Sequence, residues 1–382
     1  MNTILTKKVN TKFIETFNCH PEVLVFSPGR INLIGEHIDY NGGVVLPAAI
    51  DKGIVAALSK NSKTVSSVLA LDKNEYLEIS SNNIYPMENG QWGNYILGII
   101  AEINKREKRI DSFNLIFSGN IPMGAGLSSS AALENSVVFG LNELFNLGFT
   151  KSEMTLISQQ AEHNFVGVRC GIMDQYASMF GQENSVLLLD CKSLKLKPYL
   201  VNFNEYEIVL FNTNVRHNLV ESAYNACRLA CEKVASLLRV DALRDASESD
   251  LIAVKNKINH QDYLKALYVI EEISRVKKAV KAIKDNELQL LGELLFLSHD
   301  GLQNQYKVSC PELDFLVASA KKSPAVIGAR MMGAGFGGCT INLVKKEQKD
   351  GFISSVSKLY QTKFAVEFNV IFVKLVMGTH LI

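Results

Sequence analysis

Apolar positions recur with two different periods along this chain, and the changes of period outline its elements. In "FNLIF" (113–117), Phe113, Leu115 and Phe117 fall on one side of an extended segment, the pattern of a half-buried strand. Shortly after, Leu133, Val137, Leu141 and Leu144 recur every three or four residues and predict a helix over 131–147. The same reading puts strands at "EVLVFS", "GIVAALS" and "SVLLLD" and further helices near 94–107 and 152–168. The first half, to about residue 200, is therefore mixed α and β. In the second half "YEIVLFNTN" reads as a strand, amphipathic helices occupy 219–239 and 261–284, and "CTINLV" and "FNVIFVKLV" are strand-like around another helix. Pro and polar residues in "KLKPYLVNFNEYE" separate two strand runs, so two domains are expected, 1–203 and 204–382. There is no internal repeat and no low-complexity segment.

The joint between the 113–117 strand and the helix after it is the glycine- and serine-rich "PMGAGLSSSAALE" (122–134), without a positive charge. A strand, a turn of small residues and a helix start bring backbone N–H groups together with the positive end of the helix dipole, which suits an anion. The loop lacks the Gly-Lys-Ser/Thr run of a Walker loop, and Ser129 stands where a dinucleotide fingerprint needs its third Gly. Taken alone it also reads as a tight turn with Gly at positive φ followed by serine caps. A second Gly-rich stretch, "GARMMGAGFGGCT" (328–340), lies late in the chain, and two such loops from different domains imply a cleft between them.

Length and charge narrow the partner. The chain has 382 residues, 47% hydrophobic and 21% charged, ordinary for a globular protein. Lys and Arg number 40 against 39 Asp and Glu, so no long-range field recruits nucleic acid or an anionic membrane, and the expected partner is a small molecule. The first 22 residues mix Lys, Thr and Glu without the apolar core of a signal peptide, and no apolar run is long enough to span a bilayer. Seven scattered cysteines without a C-x-x-C pair fit a reducing cytoplasm and no zinc site; Cys227 and Cys231, four apart on a helix, read as small buried hydrophobes.

The densest polar cluster is "SPGRINLIGEHIDYNGGVVLPAAI" (27–50), where Arg30, Glu36, His37 and Asp39 sit among Ile31, Leu33, Ile34, Val44, Val45 and Leu46. Charges in so apolar a setting call for partners or a ligand. This stretch resembles the signature of the galactokinase family. "PMGAGLSSSAALE" and "MMGAGFGGC" resemble two motifs of the wider GHMP small-molecule kinases, to which that family belongs. "QQAEHNFVGVRCGIMDQYASMFG" (159–181), "NVRHNLVESAYNACR" (214–228) and "YKVSCPELD" (306–314) resemble galactokinases specifically. The similarity runs in fixed order from about residue 20 to 345.

The resemblance implies an α+β GHMP kinase fold, with an N-terminal α/β domain, a C-terminal ferredoxin-like domain and the active site between them. It implies transfer of the ATP γ-phosphoryl group to the anomeric hydroxyl of galactose. By the same resemblance the backbone of Gly124, Ala125, Gly126, Leu127, Ser128, Ser129 and Ser130 cradles the ATP phosphates, and Ser130 and Glu162 hold Mg²⁺. Asp174 is the catalytic carboxylate and Arg30 its partner. Glu36, His37, Asp39, Tyr224, Asp174 and the backbone of Gly171 contact the sugar, and Trp92 and Tyr95 lie beside adenine. Arg216 is a second cation near the phosphates. Plain alternatives stand beside several of these: a satisfied turn histidine for His37, a solvated helix residue for Glu162, a core aromatic pair for Trp92 and Tyr95. Ile38 stands where bacterial galactokinases commonly have Thr, and N-acetylgalactosamine kinases resemble this chain there, so a 1-kinase of N-acetylgalactosamine or arabinose is the rival enzyme. A non-catalytic galactose- and ATP-binding sensor is the rival of another class. The intact Ser130-Ala131 pair, which kinase-inactive relatives lack, opposes the sensor.

Overall fold

Leu5, Val9 and Phe13 recur every fourth residue and are all buried, and they pack a helix over Thr3–Phe17, a segment to which the sequence reading assigned no element. The computed structural model describes residues 3–80, 84–89, 91–122, 124–216 and 220–382, the side chains of 216 and 220–222 excepted. Its strands are β1 (Val23–Asn32), β2 (Val44–Val45), β3 (Pro47–Lys60), β4 (Val65–Ala70), β5 (Glu75–Ser80), β6 (Phe113–Gly119), β7 (Ser185–Asp190), β8 (Leu196–Leu200), β9 (Tyr206–Arg216), β10 (Val326–Met331), β11 (Gly337–Lys345), β12 (Asn369–Phe372) and β13 (His380–Leu381). Its α-helices are α1 (Thr3–Phe17), α2 (Gln91–Asn104), α3 (Ser129–Phe145), α4 (Lys151–Ala161), α5 (Met173–Phe180), α6 (Val220–Leu238), α7 (Glu248–Ala253), α8 (His260–Lys284), α9 (Leu288–Gly301), α10 (Pro311–Lys321) and α11 (Lys349–Phe364).

A six-stranded sheet runs in the order β13-β1-β3-β6-β4-β5, antiparallel except for the β4–β6 pair. Its pleat sorts side chains by period two. Ile54, Ala56 and Leu58 of β3 join Val25, Phe113, Leu115 and Phe117 against α2, α3 and α4, while Val55 and Ala57 join Phe26 and Ile116 against α1. The 113–117 segment does put Phe113, Leu115 and Phe117 on one side, but it is buried on both faces because α1 covers the other. A second, antiparallel sheet runs β10-β11-β9-β12. Val209 and Phe211 of β9 face α10 and α11, and Ile208 and Leu210 face a central core shared with α8 and α9. That central core also takes Ile31, Leu33, Ile34, Ile38 and Val45, so the polar-and-apolar 27–50 stretch is packed into the body of the molecule. Burying each such side chain contributes roughly 1.5–3 kcal/mol.

Three departures from the periodicity bear on the site. The helix expected over 152–168 ends at Ala161 and continues as one π-helical turn, Glu162–Val166, closed by Gly167 at φ 84°; such turns re-aim side chains by breaking the regular ladder. Within "KLKPYLVNFNEYE", Leu196–Leu200 is itself a strand, paired with β7 in a three-stranded sheet β2-β7-β8. Of "FNVIFVKLV" only Asn369–Phe372 pairs with β9; the chain then leaves that sheet and runs back along the first, ending as β13 against β1. Among the described residues no helix is long and apolar enough to cross a membrane, and all seven cysteines are free.

Candidate active site

The glycine-rich loop is shaped by three residues with left-handed backbone, Gly124 (φ 70°), Gly126 (φ 69°) and Ser128 (φ 57°). Ser128 stands at the N-cap of the 17-residue α3 yet makes no side-chain cap bond. Its hydroxyl turns away to a carboxylate oxygen of Asp174, 2.5 Å off, so the first amides of α3 stay open for an anion. The loop is held from below by a bulge in β1, where a Cβ on Gly29 would lie 2.6 Å from the Leu127 carbonyl. The second Gly-rich stretch meets it backbone to backbone. A Cβ on Gly333 would lie 3.4 Å from the Gly126 carbonyl, and one on Gly338 3.5 Å from that of Gly124. The cleft inferred from the two loops is the seam between them.

Arg30, on β1, joins this loop to α5. Its guanidinium donates to both oxygens of Asp174, 2.8 Å each, and to the Gly126 carbonyl at 2.6 Å. Asp174 sits in the first turn of α5, at the positive end of the helix, and its two-point contact with Arg30 is a charge-assisted, fork-like pair. One cavity of about 240 Å³ opens beside the pair. Glu36, His37, Asp39, Gly171, Asp174 and Tyr224, expected at the sugar, border it together with Arg30, expected as the partner of Asp174, and with Gly126, Ser128 and Glu162 from the phosphate side. Val168, Cys170, Met173, Gly333 and Ala334 line it as well; they lie within the 159–181 and 328–340 motifs but were given no individual role there.

The cavity's polar groups differ in how far the protein already satisfies them. Glu36 accepts from Gly333 N–H (2.8 Å) and from Arg330 (3.1 Å). Arg330 is fully buried and also donates to the carbonyls of Asn32, Leu33 and Met331, clamping the 27–50 stretch onto β10. A charge inside the apolar run "VIGARMM" was a signal of the kind that drew attention to Arg30. His37 has φ 61°, bonds Tyr40 through Nδ1 (2.8 Å) and donates through Nε2 to the Ala334 carbonyl (3.1 Å), and burial lowers its pKa to about 4. It is a neutral histidine with both nitrogens in use, presenting its ring to the cavity. Asp39 is the exception. Among the described residues it has no salt bridge and no side-chain donor, and burial, then Asp174, raise its pKa to about 7. Gly171 passes so close that a Cβ would lie 1.9 Å from its Oδ2. The Tyr224 ring packs 5.4 Å from that of His37.

Behind Asp174 lies a knot of buried acid. Glu162, opening the π turn, is 7% exposed, and burial, then Asp174, raise its pKa to about 7 while Ser130, Cys170 and Gln175 bond it. Gln175 also donates to Glu134, whose other oxygen has no partner among the described residues and whose pKa burial pushes well up. The solvated alternative for Glu162 is thereby removed. Trp92 and Tyr95 lie apart from the cavity on α2: the indole N–H bonds Glu75, and its ring meets Phe117 edge-on at 5.5 Å, on the strand that feeds the loop. Ile38 is fully buried in the central core and has no surface in the cavity. The Arg216 side chain lies outside the described residues.

A mixed sheet feeding a glycine loop, a second antiparallel sheet closing it and a carboxylate–arginine pair at the seam together define a GHMP small-molecule kinase, an ATP-dependent enzyme. Family models agree: "GHMP kinases N terminal domain" matches residues 94–182 and "GHMP kinases C terminal" 246–362. A solved mevalonate kinase from Methanococcus jannaschii shares the fold at TM-score 0.65 and 18% identity, over 92% of this chain and 98% of that one. Within that class the chain belongs to the galactokinase family. The "Galactokinase galactose-binding signature" matches residues 11–60. The galactokinases of Clostridium beijerinckii (40% identical; 94% of this chain and 94% of that one) and Thermosipho africanus (40%; 91% and 95%) are similar over nearly their full length. The Lactococcus lactis galactokinase, solved in complex with galactose, superposes at TM-score 0.95 with 34% identity, over 98% of this chain and 99% of that one.

Proposed function

We infer that the protein transfers the γ-phosphoryl group of ATP to the anomeric hydroxyl of galactose, giving α-D-galactose 1-phosphate and ADP. The observation that carries the substrate reading is Asp39: a carboxylate with no side-chain donor among the described residues, facing a monosaccharide-sized cavity beside the Arg30–Asp174 pair. A largely desolvated carboxylate bonded only by a backbone N–H, that of Tyr40, is stabilised by a ligand that brings hydroxyls to it, and a hexose brings several. Membership of the galactokinase family supports the same reading, and the free thiols support a cytoplasmic location.

Phosphoryl transfer asks mainly for positioning and charge stabilisation. The open amides at the start of α3 and the backbone of 124–130 hold the phosphates. Asp174, fixed by Arg30, accepts the hydrogen bond of the sugar's anomeric O–H and orients it for attack; the ring oxygen makes that hydroxyl more acidic than an ordinary alcohol. Arg30 faces the transferring group and neutralises its charge. Glu36, held by Arg330, and Asp39, with the Gly171 backbone and the Tyr224 ring, fix the sugar. Trp92 and Tyr95, set back on α2, are assigned to the adenine side. The residues present fit Mg²⁺: Ser130 and Glu162 offer a hydroxyl and a carboxylate bonded to one another, Mg²⁺ takes few ligands from protein, and the crowding of Glu162, Glu134 and Asp174 is the arrangement a cation relieves. When bound, Mg²⁺ neutralises phosphate charge.

The test is ADP release across a panel of free sugars including galactose, glucose, arabinose and N-acetylgalactosamine, with Asp174→Ala alongside. Turnover on galactose that Asp174→Ala abolishes, with ATP binding retained, is expected. Preference for another sugar overturns the substrate reading, and an Asp174→Ala enzyme within a few fold of its parent overturns the mechanism.

A further inference from the structure

Strand β1 and helix α5 carry the two halves of the Arg30–Asp174 pair, and a second set of contacts joins the same two elements just beyond it. Ser27 lies three residues before Arg30 on β1, and Ser178 lies one turn after Asp174 on α5. Their hydroxyls are 3.1 Å apart. The third member is Thr379, in the segment 373–382 that returns from the second sheet. Its hydroxyl is 2.9 Å from that of Ser27 and 3.1 Å from the Ser178 carbonyl. All three side chains are fully buried. A carbonyl can only accept, so Thr379 O–H donates to it; Thr379 Oγ1 then accepts from Ser27, and Ser27 Oγ accepts from Ser178. The hydroxyls form a one-directional chain of hydrogen bonds, in which each bond polarises the next, and the loop is closed through Ser178 itself, whose hydroxyl starts the chain and whose carbonyl ends it.

The returning segment is tied down around this ring. Thr379 N–H donates to the Ser178 carbonyl (2.9 Å) and Gly378 N–H to that of Gly181 (2.8 Å). Lys151 donates to the carbonyls of Thr379 (2.9 Å) and Met179 (3.3 Å), bringing a cation to the C-terminal end of α5. A Cβ on Gly378 would lie 2.3 Å from the Met179 carbonyl, so the approach needs glycine. None of Ser27, Ser178 and Thr379 lines the cavity.

We propose that Thr379, with Ser27 and Ser178, is a positioning residue for phosphoryl transfer: the hydroxyl ring sets the spacing of β1 from α5 and so registers the Asp174 carboxylate against Arg30 and the sugar. The proposal rests on the roles assigned above to Arg30 and Asp174. Because the segment starts from β12, the ring also ties that pair to the half of the molecule that supplies Gly333 and Ala334 to the cavity.

Thr379→Val keeps the side-chain shape but leaves the Ser27 hydroxyl without its acceptor. Since sub-ångström misplacement of a reacting group is felt strongly in rate, kcat should fall about tenfold, with KM for ATP and for sugar changing less than about twofold, and Thr379→Ser should restore it. Ser178→Ala removes one link and leaves the backbone ties, and its smaller fall in kcat decides the matter if Thr379→Val does not fold. In an Asp174→Asn background, Thr379→Val should lower the residual rate no further. Lowered melting temperatures with kcat per folded molecule unchanged, in both Thr379→Val and Ser178→Ala, would overturn the proposal. Turnover of the parent enzyme on galactose separately decides the substrate reading, and the kcat ratios are taken on whichever sugar the parent turns over.

Discussion

Replacing Asp39 by Asn should make the sugar-free protein more stable and nearly inactive at once. The carboxyl is carried from an ordinary 3.8 to about 7 by burial, then by Asp174, which corresponds to at most roughly 4 kcal/mol against the folded state once it is ionised. Water at the cavity mouth screens part of this, and about 2 kcal/mol is the expected gain for the variant, or about 2–3 °C in Tm for a chain of this length. The sign follows from the raised value. The native protein keeps its full stability below about pH 4, where folded and unfolded chains both hold the proton, and loses it progressively as pH rises to about 7. The gain from Asp39→Asn is therefore absent in acid, grows with pH and levels off above about 7. Galactose hydroxyls donate to the ionised form, so KM for galactose should fall as pH rises through 7, and the variant should lose that dependence together with about a hundredfold or more of kcat/KM. Thermal melts of parent and variant from pH 5 to 8.5, with kinetics across the same range, check both halves. Equal melting temperatures at pH 8.5, or a gain that does not change with pH, would refute the claim that ionising this carboxylate costs the sugar-free protein stability.

Gly171→Ala should cut galactose kcat/KM by at least tenfold and leave ATP binding unchanged, because its Cβ would enter the Asp39 carboxylate; binding of each ligand measured separately decides this. Ser130→Ala and Glu162→Gln should each raise the Mg²⁺ concentration giving half-maximal activity severalfold at saturating ATP, and an unmoved midpoint in both removes the metal assignment. ATP should quench or shift the fluorescence of Trp92, the single tryptophan. A spectrum indifferent to nucleotide, in protein that binds it by another measure, leaves Trp92 as a wall of the first core against Phe117.

The local order of the chain determined a good deal of this picture. Period two in 113–117, the three- and four-residue recurrence from Leu133 to Leu144 and the glycines between them mark a strand, a turn and a helix start, because side-chain direction within one element depends only on its own backbone. The long ordered motifs, by their resemblance, named the charged and sugar-side residues that border the cavity, but not Val168, Cys170, Met173, Gly333 and Ala334 beside them. Neighbours distant in sequence were settled only by the fold. Whether β6 is half-buried or covered depended on α1, almost a hundred residues earlier. Whether His37 is a free ligand depended on Ala334, and the fate of Glu36 on Arg330, both reached only when the second sheet closes over the first. Ile38, weighed as a mark of substrate, went to the core because that packing left no side of it toward the cavity. The Ser27–Ser178–Thr379 ring unites three small hydroxyls separated by up to 352 residues. Such residues carry no period or charge that stands out in a sequence, and burial and hydrogen-bond partners, which give them meaning, belong to the tertiary structure.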